Sequence, residues 1–294
     1  MNIKISPLKG TSKLVESLDH SPLTALTKQQ VIDECREAGV ILFRGFDTHI
    51  DDFSAFVRNN SSKVTLDPAR TFYAENAQKV DAGLDAVGLH CENGNAPKLP
   101  HFIWFYCEKA AKSGSQTTYC DGREVWLALS ESARKAFSEK KIKYSRNVPE
   151  HLWRAYLAYE LPNISRPEDV THEHLTMFSN AVEGQSFVLN DDQSVHYSFV
   201  VGAAHKTLFS DDLSFANSIL GPSYNYEKPV ICFEDDTPIS AELLAEIAQV
   251  TEAKTHEIQW QKGDVVMIDN TRFMHGRRAI QDPEREIYAA LSYL

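Results

Sequence analysis

Three side chains in this sequence could hold one metal ion between them. His90 and Glu92 stand two residues apart in Gly88-Leu89-His90-Cys91-Glu92-Asn93. On a β-strand, positions i and i+2 share a face, so an imidazole and a carboxylate would project side by side while Cys91 points away. A second imidazole from elsewhere would complete the two-His-one-carboxylate set that holds iron in non-haem Fe(II) oxygenases and leaves positions open on the metal. The candidate is His275, in Asp269-Asn270-Thr271-Arg272-Phe273-Met274-His275-Gly276-Arg277-Arg278. Such a set needs a barrel-like frame, because its two segments lie far apart in the chain.

The triplet alone is a weak signal. With 11 His and 41 acidic residues in 294, chance supplies roughly one or two His-x-acid triplets. A second one, His49-Ile50-Asp51, reads as a loop entering a helix, where acids in the first turn complement the helix dipole. His172-Glu173-His174 follows Pro167-Glu168-Asp169, a helix start, and on a helix i and i+2 diverge. Neither reads as a metal site. His90-Cys91-Glu92 instead lies between an Ala-Gly-Leu-Asp-Ala-Val-Gly approach and a Gly/Asn/Pro turn, as a strand end does. The competing bland readings are a surface strand pair for His90 and Glu92, and a hydrogen-bonded core imidazole for His275.

The elements that must position these residues are mostly short strands. Residues 1–20 read as a strand and a loop on the outside. Thr24 to Gly39 is helix-like, with Gly39 suited to its C-terminal cap. Val40-Ile41-Leu42-Phe43 is a buried strand and Asp51 to Asn60 a short helix. Residues 61–87 are polar and aperiodic, either a flap that closes over substrate or a surface loop. His101 to Cys107 is a strongly β-prone apolar strand, and Ser113 to Gly122 a turn and a strand. Arg123 to Lys140 reads as one amphipathic helix, and Lys141 to Arg146 as an alternating strand. Two polar, aromatic helical pieces, Pro149–Tyr159 and His172–Asn180, interrupt the pattern; residues 147–180 read as a lid-like insertion over the barrel mouth. Residues 184–208 are strands around the hairpin turn Asn190-Asp191-Asp192. A long helix ends near Lys254, capped at its start by Thr237 with Pro238, or by Ser240 with Glu242. Strands follow at His256–Trp260, Val265–Asn270 and Arg285–Leu294. The pattern predicts a mainly β protein with helices (α+β), a jelly roll with helical cover, in one domain spanning 1–294.

The composition narrows the function classes. Hydrophobic content of 43% with 24% charged residues is that of an ordinary globular protein. A net charge of −11 disfavours nucleic acid and anionic membranes as partners. The five cysteines form no Cys-x-x-Cys pair and no disulfide framework, which points to a reducing compartment. With no apolar signal core at the amino terminus and no membrane-length apolar run, a cytoplasmic location is expected.

In this order, five segments resemble the TauD/TfdA family of Fe(II)- and 2-oxoglutarate-dependent dioxygenases: Leu42-Phe43-Arg44-Gly45-Phe46; His90-Cys91-Glu92; Gly114-Ser115-Gln116-Thr117-Thr118; Gln261-Lys262-Gly263-Asp264 through Asp269-Asn270; and His275-Gly276-Arg277 followed by Arg285. The resemblance covers about residues 40–294 and implies a double-stranded β-helix core. It implies Fe(II) held by His90, Glu92 and His275, with 2-oxoglutarate and O₂ as co-substrates. It makes Arg285, ten residues after the distal His, the anchor of the far carboxylate of 2-oxoglutarate, whose geometry a guanidinium fork suits. Thr117 would assist. Arg277 and Arg278 compete for the anchoring role, or bind a carboxylate of the substrate. Asn93 and Trp153 are candidate substrate contacts, although a tryptophan there is more often packing.

Two departures matter. Many members carry Asp where Glu92 stands; Glu occurs in the clavaminate-synthase-like branch, whose members often oxidise free amino acids. The second arginine that some members place four residues beyond the first is Ala289 here, which argues against a sulfonate substrate. Related halogenases lack the carboxylate, so Glu92 favours hydroxylation of a small molecule such as an amino acid or derivative, with release of succinate and CO₂. Desaturation, epoxidation or cyclisation stays open, as do a non-catalytic jelly-roll binding protein and a zinc hydrolase using the same ligands. A homo-oligomer is compatible with the sequence.

Overall fold

A computed structural model describes residues 1–65, 75–80, 83–222 and 227–294. Two sheets, antiparallel but for one pair, face each other across an apolar core. The larger has eight strands; Ile3–Pro7, Lys13–Ser17, Val40–Arg44, Val265–Asp269, Phe102–Lys109, Glu286–Tyr293 and Lys63–Thr65 lie in that order, and Gln78–Lys79 also pairs with Glu286–Tyr293. The smaller has the order His256–Ile258, Thr117–Asp121, Phe273–Arg277, Val87–His90. The only parallel pair among the described strands is Lys13–Ser17 with Val40–Arg44.

The central strands of the larger sheet are apolar on both sides because both sides are covered. Val40, Leu42, Ile103, Phe105, Val266, Ile268, Ile287 and Ala289 face the smaller sheet and meet Tyr119, Ile258 and Phe273. Ile41, Phe43, Trp104, Tyr106, Val265 and Met267 point the other way, onto the helices Lys28–Ala38 and Ile50–Asn59. The outer face of the smaller sheet, with Cys120 and Met274, packs on the helices Gly122–Ala128, Glu131–Glu139 and Ala241–Ala253. This is the jelly roll with helical cover that the pattern predicted.

Ile142–Val148, Gln185–Leu189, Val195–Val201 and Val230–Phe233 form a further antiparallel sheet. The helices Glu150–Glu160 and His172–Asn180 share a separate core with it, built on Trp153, Leu157, Leu175 and Val195.

The local rules held at most boundaries. Thr27 caps the first helix in a capping box with Gln30, and Gly39 ends it at φ 72°. Ser240, not Thr237, caps the helix that ends at Ala253. Three expectations change. Residues 1–20 hold two strands in a hairpin. Arg123–Lys140 is two helices, because Leu129 is extended and Ser130 caps a new start, its hydroxyl accepting from the Ala133 amide. The strand Leu213–Ser214, which pairs with His205–Lys206, lies beyond the 184–208 strand region expected. Residues 66–74 and 81–82, where a flap was considered, lie outside the described residues. Among the described residues, no helix is long and apolar enough to cross a membrane.

Candidate active site

His90 is the last residue of its strand, and His275 sits directly opposite it on the neighbouring strand. Cross-strand partners project to the same face, so the pairing itself brings the two imidazoles together, with ring centroids 4.4 Å apart. Glu92 lies beyond the end of the strand, in the turn that follows. Its Oε2 is 4.0 Å from His90 Nε2 and 3.7 Å from His275 Nε2. All three residues are buried, at 7%, 8% and 5% exposure. Their candidate ligand atoms lie within 4.8 Å of one another, and they are the one such cluster among the described residues.

The surroundings suit a divalent metal. The His90 Nδ1 lies 2.8 Å from the Gly88 carbonyl. A carbonyl only accepts, so Nδ1 carries the proton and Nε2 keeps its lone pair for the centre, as in ligating histidines whose other nitrogen is hydrogen-bonded. Phe105 packs edge-on against His275 at 5.5 Å, giving that ligand an apolar wall. Packed so closely, an uncompensated carboxylate would be costly to bury; a divalent cation between Glu92 and the two imidazoles would offset that cost. The donor set, one carboxylate and two imidazoles, fits Fe(II).

The strand bearing His90 leaves no room for a larger residue at position 88. A Cβ on Gly88 would lie 2.4 Å from the Leu220 carbonyl oxygen. Cys91, between the two candidate ligands, is buried, and burial pushes its thiol up to about 12. It is inert at neutral pH.

Arg285 precedes the strand Glu286–Tyr293 and is 7% exposed. Its Nη1 is buried and finds no hydrogen-bond partner among the described residues. Burial first, and then the like charge of Arg277, bring its pKa down to about 10. It therefore stays cationic at neutral pH, close to a second buried guanidinium. The turn Gly114-Ser115, both residues left-handed at φ 58° and 61°, holds the approach to Arg285: the Ser115 hydroxyl accepts from the Gln281 amide at 2.9 Å.

The other candidates divide. Thr117 is buried and opposes Arg277 in the small sheet, with its hydroxyl accepting from Trp260 Nε1 at 3.0 Å. Arg277 Nη2 donates to the carbonyls of Gly83 and Asp85 at 2.9 and 2.7 Å, tying down the approach to the His90 strand. Arg278 instead pairs with Glu252 and Glu257. Asn93 occupies a left-handed turn position, φ 58°, and its amide donates to the Lys98 carbonyl at 3.3 Å. Trp153 is not brought to the triad. Its ring fills the separate helical core and its indole donates to the Gln193 carbonyl at 2.9 Å. An open hollow of about 610 Å³ adjoins that unit, walled by Asn147, Glu150, Asp191, Asp192 and Glu227 among others. It contains none of the triad, and its polar, solvent-open walls do not compete with the buried cluster as the chemical centre.

Sequence reasoning missed Phe105 as the wall beside His275 and Asn270 as the partner of Glu92. It saw Asn270 only as a motif letter. The rejected triplets behave as expected. His49 caps a helix, its amide donating to Asp52 at 3.0 Å. The His174 ring serves the N-cap of its own helix, accepting from the Thr171 amide at 3.0 Å.

A jelly roll that buries two imidazoles, a carboxylate and a guanidinium with one nitrogen unpartnered among the described residues has the parts of an iron- and oxo-acid-dependent oxygenase. The comparisons agree. A profile described as "Taurine catabolism dioxygenase TauD, TfdA family" matches residues 4–291, and the chain belongs to that family of Fe(II)- and 2-oxoglutarate-dependent enzymes. It is 23% identical to a clavaminate synthase-like protein of Arabidopsis thaliana over 91% of this chain and 86% of the relative. It is 25% identical to the dapdiamide synthesis protein DdaC of Enterobacter agglomerans over 95% and 92%. Among solved structures, PvcB of Pseudomonas aeruginosa superposes with a TM-score of 0.64 at 15% identity, over 99% of this chain and 91% of that one. PvcB is described as an Fe, alpha-ketoglutarate dependent oxygenase from an isonitrile synthetic pathway. The family resemblance read from the motifs is thereby borne out.

Proposed function

We propose that His90, Glu92 and His275 hold Fe(II), that Arg285 and Thr117 bind 2-oxoglutarate, and that the enzyme hydroxylates an amino acid or a derivative of one. The observation that carries the reading is the buried cluster of two imidazoles and one carboxylate, all within 4.8 Å. The iron, when bound, couples oxidative decarboxylation of the oxo acid to oxidation of a substrate C–H bond. The protein's own residues do the rest. Glu92 supplies the negative charge that balances the metal. The Gly88 carbonyl fixes the ring orientation and tautomer of His90. Arg285, with a buried nitrogen that has no partner among the described residues, offers a charge-assisted contact to the distal carboxylate. Phe105 keeps water from one side of His275.

Ala289 supports the substrate class. It lies on the inter-sheet face, paired with Phe105 and Gln78, where a methyl group offers no cation to a sulfonate. Purified protein with Fe(II), ascorbate and 2-oxoglutarate should release succinate, faster with the right member of a panel of free amino acids and derivatives. Absence of succinate with every candidate, despite bound iron, would favour a binding protein instead. Desaturation is a second reading, favoured by the likeness to an isonitrile-pathway enzyme. Product mass separates the two: a gain of one oxygen for hydroxylation, a loss of two hydrogens for desaturation.

We also propose that the helical pieces around 147–180 act as a cover over the site, within a single domain. The ion pair between Lys98, in the turn after Glu92, and Glu160, at the end of the helix Glu150–Glu160, supports a link between them. A cytoplasmic location is the reading that five free cysteines support; fractionation of cells expressing the protein tests it.

A further inference from the structure

The ladder that pairs the two histidine strands stops before it reaches Glu92. His90 opposes His275, so the same register would set Glu92 opposite Phe273, but the strand ends at His90. A side chain takes over. The Glu92 amide donates to Asn270 Oδ1 at 2.7 Å, and Asn270 Nδ2 donates back to the Glu92 carbonyl at 3.1 Å. This two-bond exchange is the pattern of a hydrogen-bonded pair in an antiparallel ladder, made here by a carboxamide.

The same Nδ2 donates to the Pro100 carbonyl at 2.9 Å, and the Asn270 backbone amide to the His101 carbonyl at 2.9 Å. Asn270 therefore grips both ends of the turn that runs from Glu92 to Pro100. It is fully buried, at 0% exposure. It also sits in the short link between the strands Val265–Asp269 and Phe273–Arg277, the second of which carries His275. One residue thus connects the Glu92 turn to the His275 hairpin.

We infer that Asn270 is the positioning residue of the metal centre: it sets the place of the Glu92 carboxylate relative to His275. The inference rests on the reading of Glu92 as a ligand. Only a carboxamide offers this pattern of one acceptor and two donors, and glutamine would carry it one methylene further from the backbone. An aspartate would keep the acceptor but lose both donors and set a charge against two carbonyl oxygens. A leucine of similar volume would leave the Glu92 amide, the Glu92 carbonyl and the Pro100 carbonyl without this partner.

A thermodynamic cycle tests it, with Co(II) as the probe, read by binding titration and by the visible d–d spectrum. The four proteins are the wild type, Glu92→Ala, Asn270→Asp and the double variant. Loss of a partner that orients a ligand costs about 10–100-fold in metal affinity, and Asn270→Asp should show that loss with a spectrum shifted toward that of Glu92→Ala. In the Glu92→Ala background the same substitution should change affinity by less than about 2-fold, because coupled residues are not additive. An equal loss in both backgrounds, or a wild-type spectrum in Asn270→Asp, overturns the inference and leaves Asn270 as structural support. If Glu92→Ala itself leaves Co(II) affinity and spectrum unchanged, the metal reading has failed, a separate outcome. A measurement on the wild type covers the case in which Asn270→Asp does not fold. The Glu92 amide should be protected from hydrogen exchange in the metal-free protein, and exchange at the rate of an open loop overturns the inference.

Discussion

Replacing Arg285 with leucine should separate two properties that core substitutions ordinarily move together. The guanidinium is buried, one nitrogen has no partner among the described residues, and Arg277 repels it. It carries its charge in both the folded and the unfolded chain at pH 7, so its burial is a cost that does not titrate near neutrality. The downward shift to about 10 corresponds to a penalty on the order of 2 kcal/mol after allowance for solvent screening. In the 2-oxoglutarate complex the same group meets a carboxylate. Truncating one partner of such a buried, hydrogen-bonded charge pair costs about 2–5 kcal/mol, which is about 30-fold or more in Kd. Arg285→Leu should therefore lose at least that much affinity for 2-oxoglutarate, measured by calorimetry on the Mn(II)-loaded protein. The metal-free variant should unfold within about 1 kcal/mol of wild type or be more stable, because lost packing and relieved repulsion oppose each other. Unchanged 2-oxoglutarate affinity, or a stability loss above about 3 kcal/mol, would refute the reasoning.

Other substitutions test the frame around the site. Gly88→Ala places a Cβ 2.4 Å from the Leu220 carbonyl oxygen; it should cost about 1–3 kcal/mol of stability by denaturant titration and weaken metal binding, because Gly88 also holds His90. Asp269 is raised to about 6, chiefly by burial, and accepts from the Thr271 amide and hydroxyl. Its folded pKa lies above the unfolded one, so the charged form costs stability at neutral pH, and that cost disappears as pH falls through 6 to about 4. Asp269→Asn should keep the acceptor, gain up to about 2 kcal/mol at pH 7, and flatten the pH dependence of stability between 6 and 4. Trp153→Phe removes the bond to the Gln193 carbonyl and should cost about 1–2 kcal/mol without moving the KM of the substrate; a tenfold change in that KM would restore Trp153 as a substrate contact.

Much of the frame was legible in the sequence because the relevant rules are local. Gly39 ends a helix at a left-handed position, and strands buried on both faces show as apolar runs such as Val265–Ile268. The pairing of His90 with His275 was legible only through the ordered motifs, since nothing local encodes a register between segments 185 residues apart. Two motif pieces proved to be mutual partners: Arg44 makes a two-nitrogen contact with Asp264 at 3.0 and 2.6 Å. The break at Leu129-Ser130 was hidden because the helical periodicity runs through it, and only the capping geometry of Ser130 marks it. The role of Asn270 was illegible because it depends on where a strand stops, a property of the pairing and not of the residue. The packing of Trp153 in the separate helical core was not legible, because an aromatic near a predicted insertion looks the same whether it lines a site or fills a core.

The central claim is that His90, Glu92 and His275 form one metal centre that 2-oxoglutarate enters. Anaerobic addition of Fe(II) and 2-oxoglutarate to the wild-type protein should produce a weak visible charge-transfer band. The band should be absent in His90→Ala and in His275→Ala, each still folded by circular dichroism. A band of undiminished intensity in either variant would contradict the assignment.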